Sequence, residues 1–112
     1  MSNPQTVICT YQVKPGKEAD FQRILAKHWP TLHKAGLVTN DKPLIYRGRK
    51  NDHPDKRPSG IDEHTFVEIF AWKDEHASDK AHQSPDVMSV WEPMGGLCGT
   101  MSFPHVEPLK LD

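Results

Sequence analysis

Between Val7 and Val13 the chain reads VICTYQV, and alternation places Val7, Cys9, Tyr11 and Val13 on one face with Ile8, Thr10 and Gln12 on the other, as in a strand. Lys14-Pro15-Gly16 ends that strand. From Lys17 the period becomes helical: Phe21, Ile24, Leu25, His28, Leu32 and Ala35 form one continuous stripe, and Gly36 supplies the stop. Pro30 falls inside this span, has no N–H for the residue four back, and predicts a kink or interruption near Lys27. Leu44 to Arg49 (LIYRGR) predicts a second strand, Lys50 to Asp62 a polar loop, and Thr65 to Trp72 (TFVEIFAW) a third strand. With no helix between them, the second and third strands are expected to pair as a long-looped hairpin. Asp74 is expected to cap a short helix running through Gln83, and Ser84-Pro85 to start another, with Val87, Val90, Trp91 and Met94 along one side. Gly95-Gly96 and Gly99 should end that helix. Met101 to Glu107 predicts a last strand, which Pro104 pushes toward a sheet edge or a bulge.

This order is β-α-β-β-α-β with the second helix in two pieces: an α+β, ferredoxin-like sandwich whose helices cover one face of a four-stranded antiparallel sheet. A chain of 112 residues is expected to form one such domain over 1-112. The other sheet face needs a cover, and a second copy related by a two-fold axis is the commonest way to obtain one. Composition strengthens that expectation. Ile, Leu, Val and Phe make up only about a fifth of the chain, near the edge where disorder becomes the default. A net charge of −1 nevertheless offers no self-repulsion, and three Trp, two Tyr and four Phe add bulk. A thin core in a foldable chain points to apolar surface buried against a partner.

Charge and cysteine use narrow the function classes. Fourteen basic against fifteen acidic residues, with no strongly basic run, argue against nucleic acid. No apolar run approaches the roughly 18 residues that span a bilayer, and no signal peptide is visible, so a cytoplasmic protein without membrane contact is expected. Cys9 and Cys98 stand alone, without the spacing of a zinc knuckle, redox motif or disulfide framework, and read as buried thiols. No two of the seven histidines are three or four apart, so helical metal-binding pairs are absent. His64 and Glu68, four apart on a strand, would be about 13 Å apart, too far to share an ion. No metal site is expected. There is also no Gly-x-Ser-x-Gly elbow, and the glycines of GGLCGT do not lead from a strand into a helix.

Three segments resemble the antibiotic biosynthesis monooxygenase-like group of the dimeric α+β barrel superfamily. They are the opening strand with its charged helix start, VICTYQVKPGKEADF, the strand FVEIFAW, and the helix segment ASDKAHQSPDV with its Ala-His-x-Ser-Pro. The resemblance implies a homodimer whose two sheets close into a barrel, with a small-molecule pocket in each protomer between sheet and helices. Within that group, some members oxidise aromatic polyketides with dioxygen and no cofactor, some bind and degrade haem, and many have no established role.

The candidate residues follow from these faces. His82 occupies the Ala-His position of the resemblance, next to Ala77 and Ala81, whose small side chains let the helix approach the sheet; it is the candidate catalytic base, against a helix-end histidine that merely packs. Alternation puts His64, Phe66, Glu68, Phe70 and Trp72 on one face of the third strand. A carboxylate among aromatics must be paired or neutral, so Glu68 is either an ion-pair member, with Arg47 the favoured partner, or a pocket acid. Trp72, Phe70 and Trp91 are candidate pocket walls, Tyr11 and His64 candidate hydrogen-bonding contacts, and His28 a core histidine or a pocket residue from the first helix. His33, His53, His76 and His105 receive no role.

The leading expectation is a cofactor-independent monooxygenase acting on a small, aromatic molecule. A haem-binding or haem-degrading relative is the alternative, although such members carry an asparagine in the first strand and VICTYQV has none. The third reading is a non-catalytic dimeric module that binds ligands or serves in stress response, because fold alone does not establish function. A deep apolar cavity reached by His82 and Trp72 would favour the first reading, and a closed one the third.

Overall fold

The computed structural model describes residues 3–50 and 60–111. The polar loop expected over 50–62, including His53, therefore lies largely outside the described residues. The elements are β1 (Gln5–Val13), α1 (Glu18–Lys34), β2 (Leu44–Arg47), β3 (Thr65–Trp72), α2 (Ala77–Ala81), α3 (Pro85–Leu97), β4 (Cys98–Ser102) and β5 (His105–Val106). The sheet is antiparallel in the order β2-β3-β1-β4, with β5 also pairing β1, so the ferredoxin-like α+β arrangement is present.

Local chemistry explains the main boundaries. Pro15 and Gly16 take the two central positions of a turn closed by the Lys17 N–H on the Lys14 carbonyl (3.0 Å), with Gly16 at φ 86°. At the other end of α1, Gly36 at φ 74° donates to the His33 carbonyl and Leu37 donates to Leu32, the paired bonds of a Schellman stop, with Leu32 and Leu37 both buried. Pro30 does not interrupt α1, which runs unbroken to Lys34. The carbonyl that Pro30 leaves without an N–H belongs to Ala26, an exposed residue where water can take over.

Three other expectations need correction. Asp74 does not cap α2 directly; its side chain instead accepts from the His76 N–H (2.9 Å), and α2 covers only Ala77–Ala81. Gly95 and Gly96 lie inside α3, which continues to Leu97. Lys14 satisfies the last carbonyls there, its Nζ donating to Gly96 (3.1 Å) and its backbone N–H to Leu97 (2.9 Å). The last strand is two pieces. Its chain pairs with β1 from Cys98 to Ser102, breaks at Phe103-Pro104, and pairs again at His105–Val106.

All three helices lie against one sheet face. β1 buries Val7, Cys9, Tyr11 and Val13 there, the register sets these beside Phe66, Glu68 and Phe70 of β3, and Trp72 follows two residues on. α1 contributes Phe21, Leu25, His28 and Leu32, and α3 contributes Val87, Val90 and Met94. Among the described residues the opposite face has no such layer. Leu44 and Tyr46 are each 55% exposed there, next to half-buried Ile8, Val67 and Ile69. The chain is a slab of 49 × 43 × 19 Å with a radius of gyration of 15.2 Å, against about 13 Å for a compact chain of this length.

Candidate active site

A cavity of about 240 Å³ opens between the helix-covered sheet face and the helices. The strands supply Tyr11, Phe70 and Trp72 as its floor, α1 and α3 supply His28 and Trp91, α2 brings Ser78, and His82 follows at its C-terminal end. Phe70 and Trp72 meet edge to face at 5.1 Å, and Trp72 and Trp91 at 6.4 Å, so the aromatic walls brace one another. Six of the eight candidate residues thus converge: Tyr11, His28, Phe70, Trp72, His82 and Trp91 all line the cavity.

His82 lies on the exposed rim, its ring against Trp91 at 4.8 Å, and makes no hydrogen bond through its side chain among the described residues. His28 is different. Its Nδ1 lies 2.7 Å from Glu68 Oε1, its Nε2 lies 2.8 Å from the Trp91 indole Nε1, and only 3% of the residue is exposed. An indole N–H can only donate, so Nε2 must be the acceptor and the proton of a neutral imidazole sits on Nδ1, facing Glu68. The Tyr11 hydroxyl donates to the same Glu68 oxygen at 2.9 Å. Trp91, His28, Glu68 and Tyr11 therefore form one hydrogen-bonded chain running from α3 through α1 into the sheet.

Glu68 is completely buried but does not line the cavity; it sits behind His28 and Tyr11. The expected ion pair with Arg47 does not form. Arg47 instead donates from Nε to the Glu63 carbonyl (2.8 Å) and lies over the Phe66 ring at 5.2 Å. The register explains the difference: Arg47 faces Phe66 across the hairpin, whereas Ile45 faces Glu68. His64 also stands outside the cavity, 3.3 Å from Glu18 at the start of α1, because its position just before β3 places it at the far end of the strand.

Burial and the Glu68 charge set the protonation of the floor. Burial pushes the Cys9 thiol up to about 12, and the carboxylate beside it adds to the effect. The same two causes, in the same order, raise Tyr11 above the usual phenol range. Both groups are neutral hydrogen donors at ordinary pH.

Periodicity missed the wall built after α3. Met94 was visible on its helix, but Met101, Phe103 and His105 also line the cavity. The Pro104 break restarts the alternation, and only the pairing of His105 with Val7 fixes which way His105 faces. Among the described residues no group of three or more His, Cys, Asp or Glu side chains could hold a metal ion. No helix there is long and apolar enough to cross a membrane.

SnoaB from Streptomyces nogalater, named as a cofactor-independent oxygenase, superposes in a variant form with a TM-score of 0.73 at 17% identity, over 98% of this chain and 97% of its own. A Bordetella bronchiseptica protein provisionally named an antibiotic biosynthesis monooxygenase gives 0.72 at 16% identity, over 96% and 99%. A Pseudomonas aeruginosa protein whose name carries no activity gives 0.70 at 18%, over 98% of both chains. No family model matches the sequence, and no curated protein matches it. The chain has the antibiotic biosynthesis monooxygenase-like fold.

Proposed function

We propose that the protein is a cofactor-independent monooxygenase acting on a small aromatic molecule. The observation that carries this reading is the aromatic-walled cavity of about 240 Å³ into which ionisable side chains reach from both helices and sheet. Its volume is below the roughly 300 Å³ at which sites for drug-sized ligands begin, which suits a compact ring system and leaves little space for a porphyrin. His82 and Trp72 both border it, the condition that favours an enzyme over a closed binding module.

The chemistry balances without an external reductant. A base removes a proton from an activated ring CH2, the carbanion adds dioxygen, and the protonated peroxide loses water to leave a carbonyl. One oxygen atom enters the product and the other leaves as water, with all electrons drawn from the substrate. Trp72, Phe70 and Trp91 exclude bulk water and hold the ring, and His82 on the rim contacts the entering ligand. In this reading the protein works in the cytoplasm as a homodimer, the apolar face around Leu44, Tyr46 and Ile69 packing on its copy to close a barrel.

The test is dioxygen uptake with dithranol, a hydroxyanthrone with an acidic ring CH2, in the presence of a chelator. Uptake well above the spontaneous rate, with one dioxygen consumed per anthrone and loss in Trp72→Ala, is expected. Uptake at the spontaneous rate would overturn the proposal.

A further inference from the structure

The Trp91–His28–Glu68–Tyr11 chain has a chemical asymmetry. Glu68 is a fully buried carboxylate, and no lysine or arginine among the described residues pairs with it; its Oε2 has no hydrogen-bond partner there. Among the described residues its one potential counter-charge is His28, whose Nε2 accepts from the Trp91 N–H at 2.8 Å and so carries no proton in this arrangement. The other ionisable groups near this pair are Cys9 and Tyr11 on β1, His82 after α2, and His105 on β5. Cys9 and Tyr11 are neutral, and none of the four contributes a fixed positive charge.

We infer that His28, not the rim residue His82, is the proton acceptor of the cavity, with Glu68 as the positioning residue behind it and the Trp91 indole as a cover that an acidic ligand displaces. The ligand class is a phenol, an enol, or a carbon acid flanked by a carbonyl. Its proton passes to Nε2, its electron pair stays on the ligand as an anion, and Trp91 gives up its hydrogen bond. The uncompensated carboxylate then becomes half of an imidazolium–carboxylate pair and the ligand carries the negative charge, so the net charge of the site is unchanged and the imidazolium lies between two anions. The Nδ1–H bond to Glu68 fixes both the ring orientation and the free nitrogen, the role a buried carboxylate plays behind a histidine base. By contrast, His82 has no hydrogen-bonded group among the described residues to hold its ring or to offset its charge.

This inference rests on the proposed aromatic ligand class but not on the oxygen chemistry. The probe is therefore 4-nitrophenol, whose absorbance distinguishes phenol from phenolate without any turnover. At a pH where the free probe is neutral, probe bound to the wild-type protein should show the phenolate band. His28→Gln, whose amide still donates to Glu68, should bind it as the neutral phenol. Glu68→Gln should lower the phenolate fraction of bound probe more than the amount bound. Trp91→Phe keeps the ring and removes the competing N–H, so the phenolate complex should tighten about fivefold, the equivalent of one neutral hydrogen bond. A purely structural role for Trp91 predicts the opposite sign, so this variant decides the matter even if His28→Gln fails to fold.

Neutral probe in the wild-type complex, or no binding at all, would overturn the inference. So would a phenolate band that survives His28→Gln and disappears in His82→Ala, or weaker binding in Trp91→Phe. An intact phenolate band without dithranol-dependent oxygen uptake would remove the oxygenase reading and leave the base in place.

Discussion

Two of the protein's glutamate–histidine contacts, His28–Glu68 and His64–Glu18, look alike in composition and differ in everything else. His28 and Glu68 meet at 2.7 Å with 4% and 0% of their side chains exposed, whereas His64 and Glu18 meet at 3.3 Å with 32% and 16% exposed. In the first pair neither partner can recover its hydrogen bonds from water, so each depends on the other, on Tyr11 and on Trp91. Water and salt can replace either partner in the second. The same two side chains thus build a chemical device in one place and a surface contact in the other, and the cause is burial.

The largest expected effect comes from breaking the buried pair on one side. His28→Ala takes the Nδ1–H donor away from the buried Glu68 carboxylate and leaves a cavity, and should cost about 3 kcal/mol or more in a denaturant melt. Replacing both, as His28→Leu with Glu68→Leu, should recover much of that loss, because the penalty belongs to a buried carboxylate short of a donor and not to the missing pair. If the double variant is as unstable as the single one, the pair is not the source of the cost.

Next in size is an alkaline transition. The Cys9 thiol is raised from 9.0 to about 12, so the folded state holds its proton where the unfolded chain releases it. Stability from this source is complete below pH 9.0 and is lost as pH climbs toward 12. Cys98, raised by its own burial to about 11, adds to the same loss. Cys9→Ala should flatten the alkaline limb of the stability profile, and the Cys9 thiol should resist alkylation near neutral pH until the chain unfolds.

Smaller still is the acid side of the solvent-exposed region. Asp62 is held below its usual 3.8 by the His64 backbone N–H and the Thr65 hydroxyl, so its contribution is present above pH 3.8 and fades as pH falls through the lowered value. Asp62→Asn should remove that acid dependence in a melt series. Smallest is His64→Ala, which should shift the melt slightly, and less so in high salt, while His28 variants show no such salt dependence.

The sequence pattern made the faces legible and left the partners obscure. Alternation in VICTYQV and TFVEIFAW, together with the stripe through Phe21, Leu25, His28 and Leu32, sorts buried from exposed positions because strand and helix periods are local properties. For the same reason it delivered Tyr11, His28, Phe70, Trp72 and Trp91 to one layer. Which helix residue sits over which strand residue is not a local property. Glu68 had a nearby cation in Arg47, yet it is His28, forty positions earlier, that crosses above it. His64 shows the converse: it shares a face with Phe66 and Trp72, but the cavity occupies only the other end of that face.

His28 stands at the cavity with its Nδ1 proton toward Glu68 and its Nε2 covered by the Trp91 indole. Long-range ¹H–¹⁵N correlation spectra of the histidine side chains at neutral pH read that arrangement directly. The expected spectrum shows an Nδ1–H tautomer for His28 with an unprotonated Nε2, together with a hydrogen-bonded Trp91 indole proton that exchanges slowly. An Nε2–H tautomer for His28, or a freely exchanging Trp91 indole, would contradict it.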